Sequence, residues 1–205
     1  MTARDNEIFQ ILTHRVRVLS LEQIASKWWR GNRASARRRL LELAAEDLLR
    51  ITTAMALPSP ALDAPSAIWR PGEPEPDFGA LSYRLRSRWK DSLRRTTIAT
   101  ATERAVARFG GFAARMPRAS ELSHDIALAE VYIGMERGNP KRASAWRSEA
   151  ELYARGEGDH DKLPDAMIVS RSEKTVIEFG GAYPKAKLLE LHKFCVARQW
   201  AYEVW

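Results

Sequence analysis

Two short apolar runs constrain this chain more than any other segment: Leu163-Pro164-Asp165-Ala166-Met167-Ile168-Val169 and Thr175-Val176-Ile177-Glu178-Phe179-Gly180. Both are rich in Val and Ile, and a polar stretch, Ser170-Arg171-Ser172-Glu173-Lys174, separates them. That pattern predicts a β-hairpin. With Arg171 and Ser172 as a two-residue loop, Asp165 falls directly opposite Glu178. Directly paired residues share one face of a sheet, with Cβ atoms about 4.5–5.5 Å apart. Two carboxylates that close repel each other unless a cation or a proton lies between them. The alternative is two unrelated acids at strand edges.

A chain of 205 residues suits one large domain or two small ones. No apolar run is long enough to cross a bilayer, and no charged-then-apolar leader opens the sequence, which argues against secretion. The single cysteine, Cys195, excludes an internal disulfide and a zinc site built with other cysteines. It shares a helical stripe with Leu188, Leu191 and Phe194, which reads as core rather than as a nucleophile. A cytoplasmic location follows as the expectation. The net charge of +7 is uneven. Residues 1–72 hold 11 basic against 7 acidic side chains and residues 73–118 hold 10 against 5, whereas residues 119–205 hold 12 against 14. A basic front half predicts a polyanion partner. Double-stranded DNA fits better than a membrane, because no basic stretch carries a long apolar face for lipid.

The front half predicts three short helices. Ile8, Ile11 and Leu12 set the period of the first, from Asp5 to about Thr13. Ser20 caps the second, with Gln23 completing a capping box, and Gly31 ends it after Trp28 and Trp29. The third runs from Ser35, with Leu40, Leu43 and Ala44 as its core stripe. A strand at 51–57 and a second at 67–69 then form a hairpin. Three helices and a hairpin are the order of a winged helix-turn-helix, whose third helix enters the major groove. Arg33, Ser35, Arg37, Arg38 and Arg39, beside Asn32, are the expected DNA contacts, mostly to phosphate. Trp28 and Trp29 could stack on a base, but tryptophans at a helix end more often plug the core of such a module, and at least one is expected there.

Residues 71–79 form a proline-rich acidic boundary. A basic helix follows, from Ala80 to about Leu93, with Leu81, Leu85 and Trp89 as its row and Arg84, Arg86, Arg88 and Lys90 around it. The expected domains are therefore a winged helix over 1–72, a basic connector over 73–118 and a second domain over 119–205. The second domain reads as a helix from Ser120, a strand over 145–152, a polar loop over 156–161, the two hairpin strands, a helix over 183–198 and a last strand over 201–205. The fold class is α+β throughout.

Helix, three strands, helix, strand is the core order of the PD-(D/E)XK phosphodiesterases, and Pro164-Asp165 and Glu178 stand where that motif puts them. With both halves in view, the chain resembles the replication-relaxation family of plasmid and mobile-element proteins. The residues that carry this are the winged-helix pattern, His124-Asp125-Ile126-Ala127-Leu128, Trp146 to Glu149, Pro164-Asp165-Ala166 and Glu178-Phe179-Gly180-Gly181-Ala182. The resemblance implies a DNA-acting role in replication or mobilisation, a homodimer or replication and mobilisation partners, and a nuclease-like second domain. Mg²⁺ would sit between Asp165 and Glu178 and lower the pKa of the attacking water, with Glu130 and Glu149 as further ligands. The motif's lysine, two residues after the glutamate, is Gly180 here; Lys185 or Lys187 would have to replace it. His124 is a candidate proton carrier or a packing residue, and His160 an exposed loop residue. Two functions follow: a DNA-binding protein that keeps a nuclease-like scaffold without cutting, or a Mg²⁺-dependent DNA endonuclease using Asp165 and Glu178. A ligand-sensing regulator ranks last, because no pocket motif supports it.

Overall fold

The computed structural model describes residues 1–89, 91–112, 116–157, 163–171 and 173–205. In chain order these form α1 (Ala3–His14), β1 (Leu19–Ser20), α2 (Leu21–Trp29), α3 (Arg33–Ala45), β2 (Leu49–Ala56) and β3 (Ala67–Trp69). Then follow α4 (Phe78–Ser87), β4 (Arg94–Ala101), α5 (Glu103–Phe109), α6 (Leu122–Gly138), α7 (Pro140–Ser144) and β5 (Trp146–Ser148). The chain closes with α8 (Glu149–Ala154), β6 (Ala166–Val169), β7 (Lys174–Glu178), α9 (Lys185–Arg198) and β8 (Ala201–Val204). Lys90, Ser172 and the loop segment with His160 lie outside the described residues.

Two compact units emerge, each built from two stretches of chain: Met1–Pro58 with Ser92–Tyr132, and Ser59–Asp91 with Ile133–Trp205. The fold is mixed α+β with two sheets, as expected.

In the first unit the predicted capping box of α2 is present. Gln23 N donates to Ser20 Oγ at 3.1 Å, and Ser20 N donates to Gln23 Oε1 at 2.9 Å. A second box, between Thr2 and Asp5, starts α1. Arg30 ends α2 in the left-handed region, followed by Gly31 at φ 84°. Asn32 caps α3, so this helix starts two residues before Ser35. Ile8, Phe9, Ile24, Leu40 and Leu43 are fully buried, each contributing about 1.5–3 kcal/mol of transfer free energy. Phe9 stacks on Phe109 of α5 with centroids 4.4 Å apart. The sheet is antiparallel, in the order β1-β4-β2.

That sheet corrects the expected hairpin. Strand β2 pairs with β4 over eight residues, Leu49↔Ala101 to Ala56↔Arg94. Strand β3 pairs with β8 over three, Ala67↔Val204 to Trp69↔Tyr202. An eight-residue ladder satisfies far more backbone groups than a three-residue strand could offer. The same pairings overturn the division into consecutive segments. Strand β4, expected in a connector, is the centre of the first sheet, and β3, expected in the winged helix, is an edge of the second.

The second unit holds a five-stranded sheet, β3-β8-β7-β6-β5, in which β7 and β8 run parallel and the other neighbours antiparallel. Parallel neighbours need a crossover, and α9 supplies it. One face of the sheet, with Met167, Val176 and Tyr202, packs against Leu81 and Leu85 of α4 and Leu188 and Cys195 of α9. The basic helix α4 therefore buries Leu81 and Leu85 of its expected apolar row, but it ends at Ser87 rather than near Leu93, which leaves Trp89, half-buried, outside the helix. The strand expected over 145–152 is corrected too. Only Trp146–Ser148 is strand, and Ser148 then caps α8 by accepting from Glu151 N.

Candidate nucleic-acid face and carboxylate pair

Helix α3 buries Ala36, Leu40 and Leu43 and turns its arginines outward in two rows. Arg33 and Arg37 lie one turn apart, both exposed, with Leu41 continuing their row. Arg33 also pairs with Glu22 at 2.7 Å, both side chains being about half or more exposed (64 % and 49 %), so solvent leaves that pair weak. Ser35 and Arg38 form the second row. Ser35 N donates to the cap Asn32 Oδ1 at 3.0 Å.

Arg39, expected beside these, is committed elsewhere. Its Nε and Nη2 donate to Asp5 Oδ1 and Oδ2 at 3.1 and 2.8 Å, and Nη1 donates to Glu42 Oε2. Asp5 is buried. Burial would raise its carboxyl, but hydrogen bonds from Arg39 and Thr2 outweigh that and hold it below its ordinary value. Hydrogen bonds from Asp5 and Glu42 in turn raise the Arg39 guanidinium. A bidentate pair of this kind fixes α1 to α3; Arg39 is structural.

Neither tryptophan is a core plug. Trp28 is half-buried and donates through Nε1 to Glu7 Oε2 at 2.8 Å. Trp29 is half-buried beneath the guanidinium of Arg4, whose Cζ lies 4.4 Å from the ring centroid.

In the second unit the hairpin register matches the expectation. Ala166 pairs with Ile177 and Val169 with Lys174, which brings Asp165 opposite Glu178. Ser170 N closes the turn onto Glu173 O at 2.9 Å. The two acids, however, bind each other's strand. Phe179 N donates to Asp165 Oδ2 at 2.8 Å, and Asp165 N donates to Glu178 Oε2 at 3.4 Å. Glu178, 4 % exposed, accepts a second hydrogen bond at Oε1 from Tyr183 Oη at 2.7 Å. Burial first, and the charges of Glu178 and Asp165 next, push the Tyr183 phenol above its ordinary value, so it stays a donor.

The other expected members do not join this pair. Glu130 lies in the first unit, where it accepts from Gln23 Nε2 at 3.0 Å. Glu149 is exposed at the start of α8. His124 is partly exposed, with Nδ1 3.5 Å from Asp125 Oδ1. Lys185 is exposed at the start of α9. Lys187 comes nearer: its Nζ lies 3.3 Å from the centroid of the Tyr183 ring. Among the described residues no group of three or more His, Cys, Asp or Glu is placed to hold a metal ion. Both Glu178 oxygens and one Asp165 oxygen accept hydrogen bonds from protein donors. These bonds form a clasp that closes the end of the β6–β7 ladder.

Position 180, where the resemblance would put a lysine, has little room for any side chain. A Cβ there would lie 2.8 Å from both Leu85 Cδ1 and Val204 Cγ1, and both neighbours are buried. Arg88, which ends α4, donates through Nη2 to Gly180 O at 3.0 Å and Trp205 O at 2.8 Å.

Sequence reasoning missed several groups. Arg4 lies outside any basic run, and its stack on Trp29 joins α1 to α2. Arg142 of α7 bridges Glu173, in the turn before β7, and the buried Glu203 of β8, each at 2.8 Å. Arg94 and Arg95, by contrast, are legible in the sequence as basic residues that follow the helix of Arg84 to Lys90; they are exposed at the start of β4, at the end of the β2–β4 ladder. Compared with models of protein families, with curated proteins and with solved structures, the chain matches none.

Proposed function

We propose that this chain is a DNA-binding protein: its first unit is a winged helix-turn-helix that grips duplex DNA through α3, and its second unit is a nuclease-like scaffold that does not cut. The observation that carries the reading is the pair Arg33 and Arg37, exposed one turn apart on the N-terminal half of α3. A helix so placed can neutralise backbone phosphates and present guanidinium forks to base edges. The element order α1-β1-α2-α3-β2-β4 and the sheet order β1-β4-β2 support a winged helix, with Arg94 and Arg95 at the wing's end. The charge supports it as well. The first unit carries 16 basic against 10 acidic residues, the second 17 against 16.

For the second unit, β5, β6, β7, α9 and β8, with β7 parallel to β8, support a PD-(D/E)XK-like core. Its carboxylates serve the fold rather than a metal. A role in replication or mobilisation of a plasmid or mobile element is the biological setting we propose on the resemblance.

Incubation of the purified chain with supercoiled plasmid and with labelled duplex, in Mg²⁺ or Mn²⁺, tests this. The expected result is a retarded duplex and an intact plasmid. Metal-dependent nicking that disappears in Asp165→Asn would replace the scaffold with an endonuclease.

A further inference from the structure

Resting on the DNA-binding reading, we infer that a cleft between α1, the end of α2 and α3 seats one phosphate of the DNA backbone, clamped by Arg4 and Arg38. The cleft lies wholly within the first unit, between Arg4, Trp29, Ser35 and Arg38, and holds about 180 Å³. A water's share of liquid volume is about 30 Å³, so a phosphate group fits with hydration to spare. The Asp5–Arg39 pair also lines it.

The charges decide the ligand. Asp5 and Glu42 both pair with Arg39, and both line the cleft, where three arginines outnumber these two acids. Arg4 and Arg38 form no ion pair among the described residues, and both are exposed. Two cations at the rim of one cleft repel each other, and an anion between them relieves this. Arg4 also sits in the first turn of α1, at the positive end of the helix dipole, where a cation is disfavoured. Its stack on Trp29 offsets that cost in part, and a bound anion would offset it further.

Geometry favours phosphate among anions. The guanidinium of Arg4 lies on the Trp29 ring at 4.4 Å. Stacking holds its plane and leaves its N–H edge to make the paired hydrogen bonds that phosphate oxygens accept. Because Arg4 covers that face of Trp29, a base cannot stack there. Arg38 is one residue beyond Arg37, so duplex lying along the N-terminal half of α3 meets the cleft and the Arg33–Arg37 row together.

Anisotropy of a labelled duplex across KCl concentrations, with the full chain, provides the test. Each neutralised phosphate contributes about 0.9 to the slope of log K against log salt. Arg4→Gln and Arg38→Gln are each expected to lower the slope by about that amount, and the double variant to lower it no further, since both serve one phosphate. Arg4→Lys keeps the charge but loses the fork and is expected to bind more weakly than the parent chain. Single variants with the parent slope, or a double variant with twice the loss, overturn the shared seat. In that case loss of binding in Arg33→Gln/Arg37→Gln leaves the DNA reading standing. If the parent chain binds no duplex, the functional reading fails and a second arm decides the cleft. The arginine Nε resonances of Arg4 and Arg38 are followed by NMR as inorganic phosphate is added. Saturable shifts of both, lost in Arg4→Gln, keep the cleft as a site for soluble phosphate; unmoved resonances overturn it.

Discussion

Asp5, in the first turn of α1, holds Arg39 of α3 by two parallel hydrogen bonds of 3.1 and 2.8 Å, across 34 residues of sequence. The pair takes one arginine out of a basic run of three and leaves Arg37 and Arg38 facing outward. The neighbours should therefore behave differently. Arg39→Ala strands a buried carboxylate and is expected to lower stability by about 2–3 kcal/mol. Arg37→Ala, at an exposed site, should change stability by less than about 0.5 kcal/mol while weakening DNA binding. Urea unfolding of the two variants checks this.

The same pair sets an acid limit. Asp5 has its carboxyl below the ordinary value of 3.8 in the folded chain. A depressed carboxyl contributes stability that is fully present above the unfolded value and is lost as pH falls through the folded one. The first unit should lose stability as pH drops below about 4, and Asp5→Asn should be less stable at neutral pH with a flatter decline. Thermal unfolding between pH 2 and pH 7 reads both.

A lysine at position 180 should not confer nicking. Gly180→Lys places a Cβ 2.8 Å from Leu85 and Val204. Overpacking of this kind costs about 1–3 kcal/mol. The expected outcome is a less stable chain with no gain of plasmid nicking, measured by urea unfolding and an agarose assay. A stable variant that nicks in Mg²⁺ would contradict the clasp.

Tyr183 and Cys195 report on the second unit. Tyr183→Phe removes the donor to the buried Glu178, at a cost of about 1–3 kcal/mol. The Tyr183 phenol lies above its ordinary value of 10.0 when folded, through burial and then the two acids. Unfolding returns it to that value, so its contribution is complete below pH 10 and declines above it. The phenylalanine variant should show a shallower decline there. Burial, with Glu178 second, pushes the Cys195 thiol up to about 12. Alkylation of Cys195 should be slow in the folded chain and faster in Tyr183→Phe.

Local signals were legible in the sequence where they were strong. The Ser20–Gln23 box, the glycine stop of α2 and the hairpin register each depend on residues a few positions apart. The start of α8 was equally local: Ser148-Glu149-Ala150-Glu151 is itself a cap pattern, obscured because Trp146 and Leu152 also suit a strand. What escaped was pairing at a distance. A three-residue strand such as β3 says nothing about whether its partner is β2 or β8. The burial of Arg39 depends on Asp5, and the exclusion of a side chain at 180 depends on Leu85, from a helix that composition alone assigned to a connector. The carboxylates were correctly placed opposite each other, but their hydrogen bonds to Phe179 N and Tyr183 Oη follow only from the packed geometry.

The most direct measurement is the salt dependence of duplex binding by the parent chain and by Arg33→Gln/Arg37→Gln. The parent chain is expected to bind duplex with log K falling linearly in log salt. The double variant should lose roughly tenfold or more in affinity and about two charges of slope, at about 0.9 per phosphate. A parent chain that ignores duplex at low salt, or a double variant matching it in affinity and slope, contradicts the account.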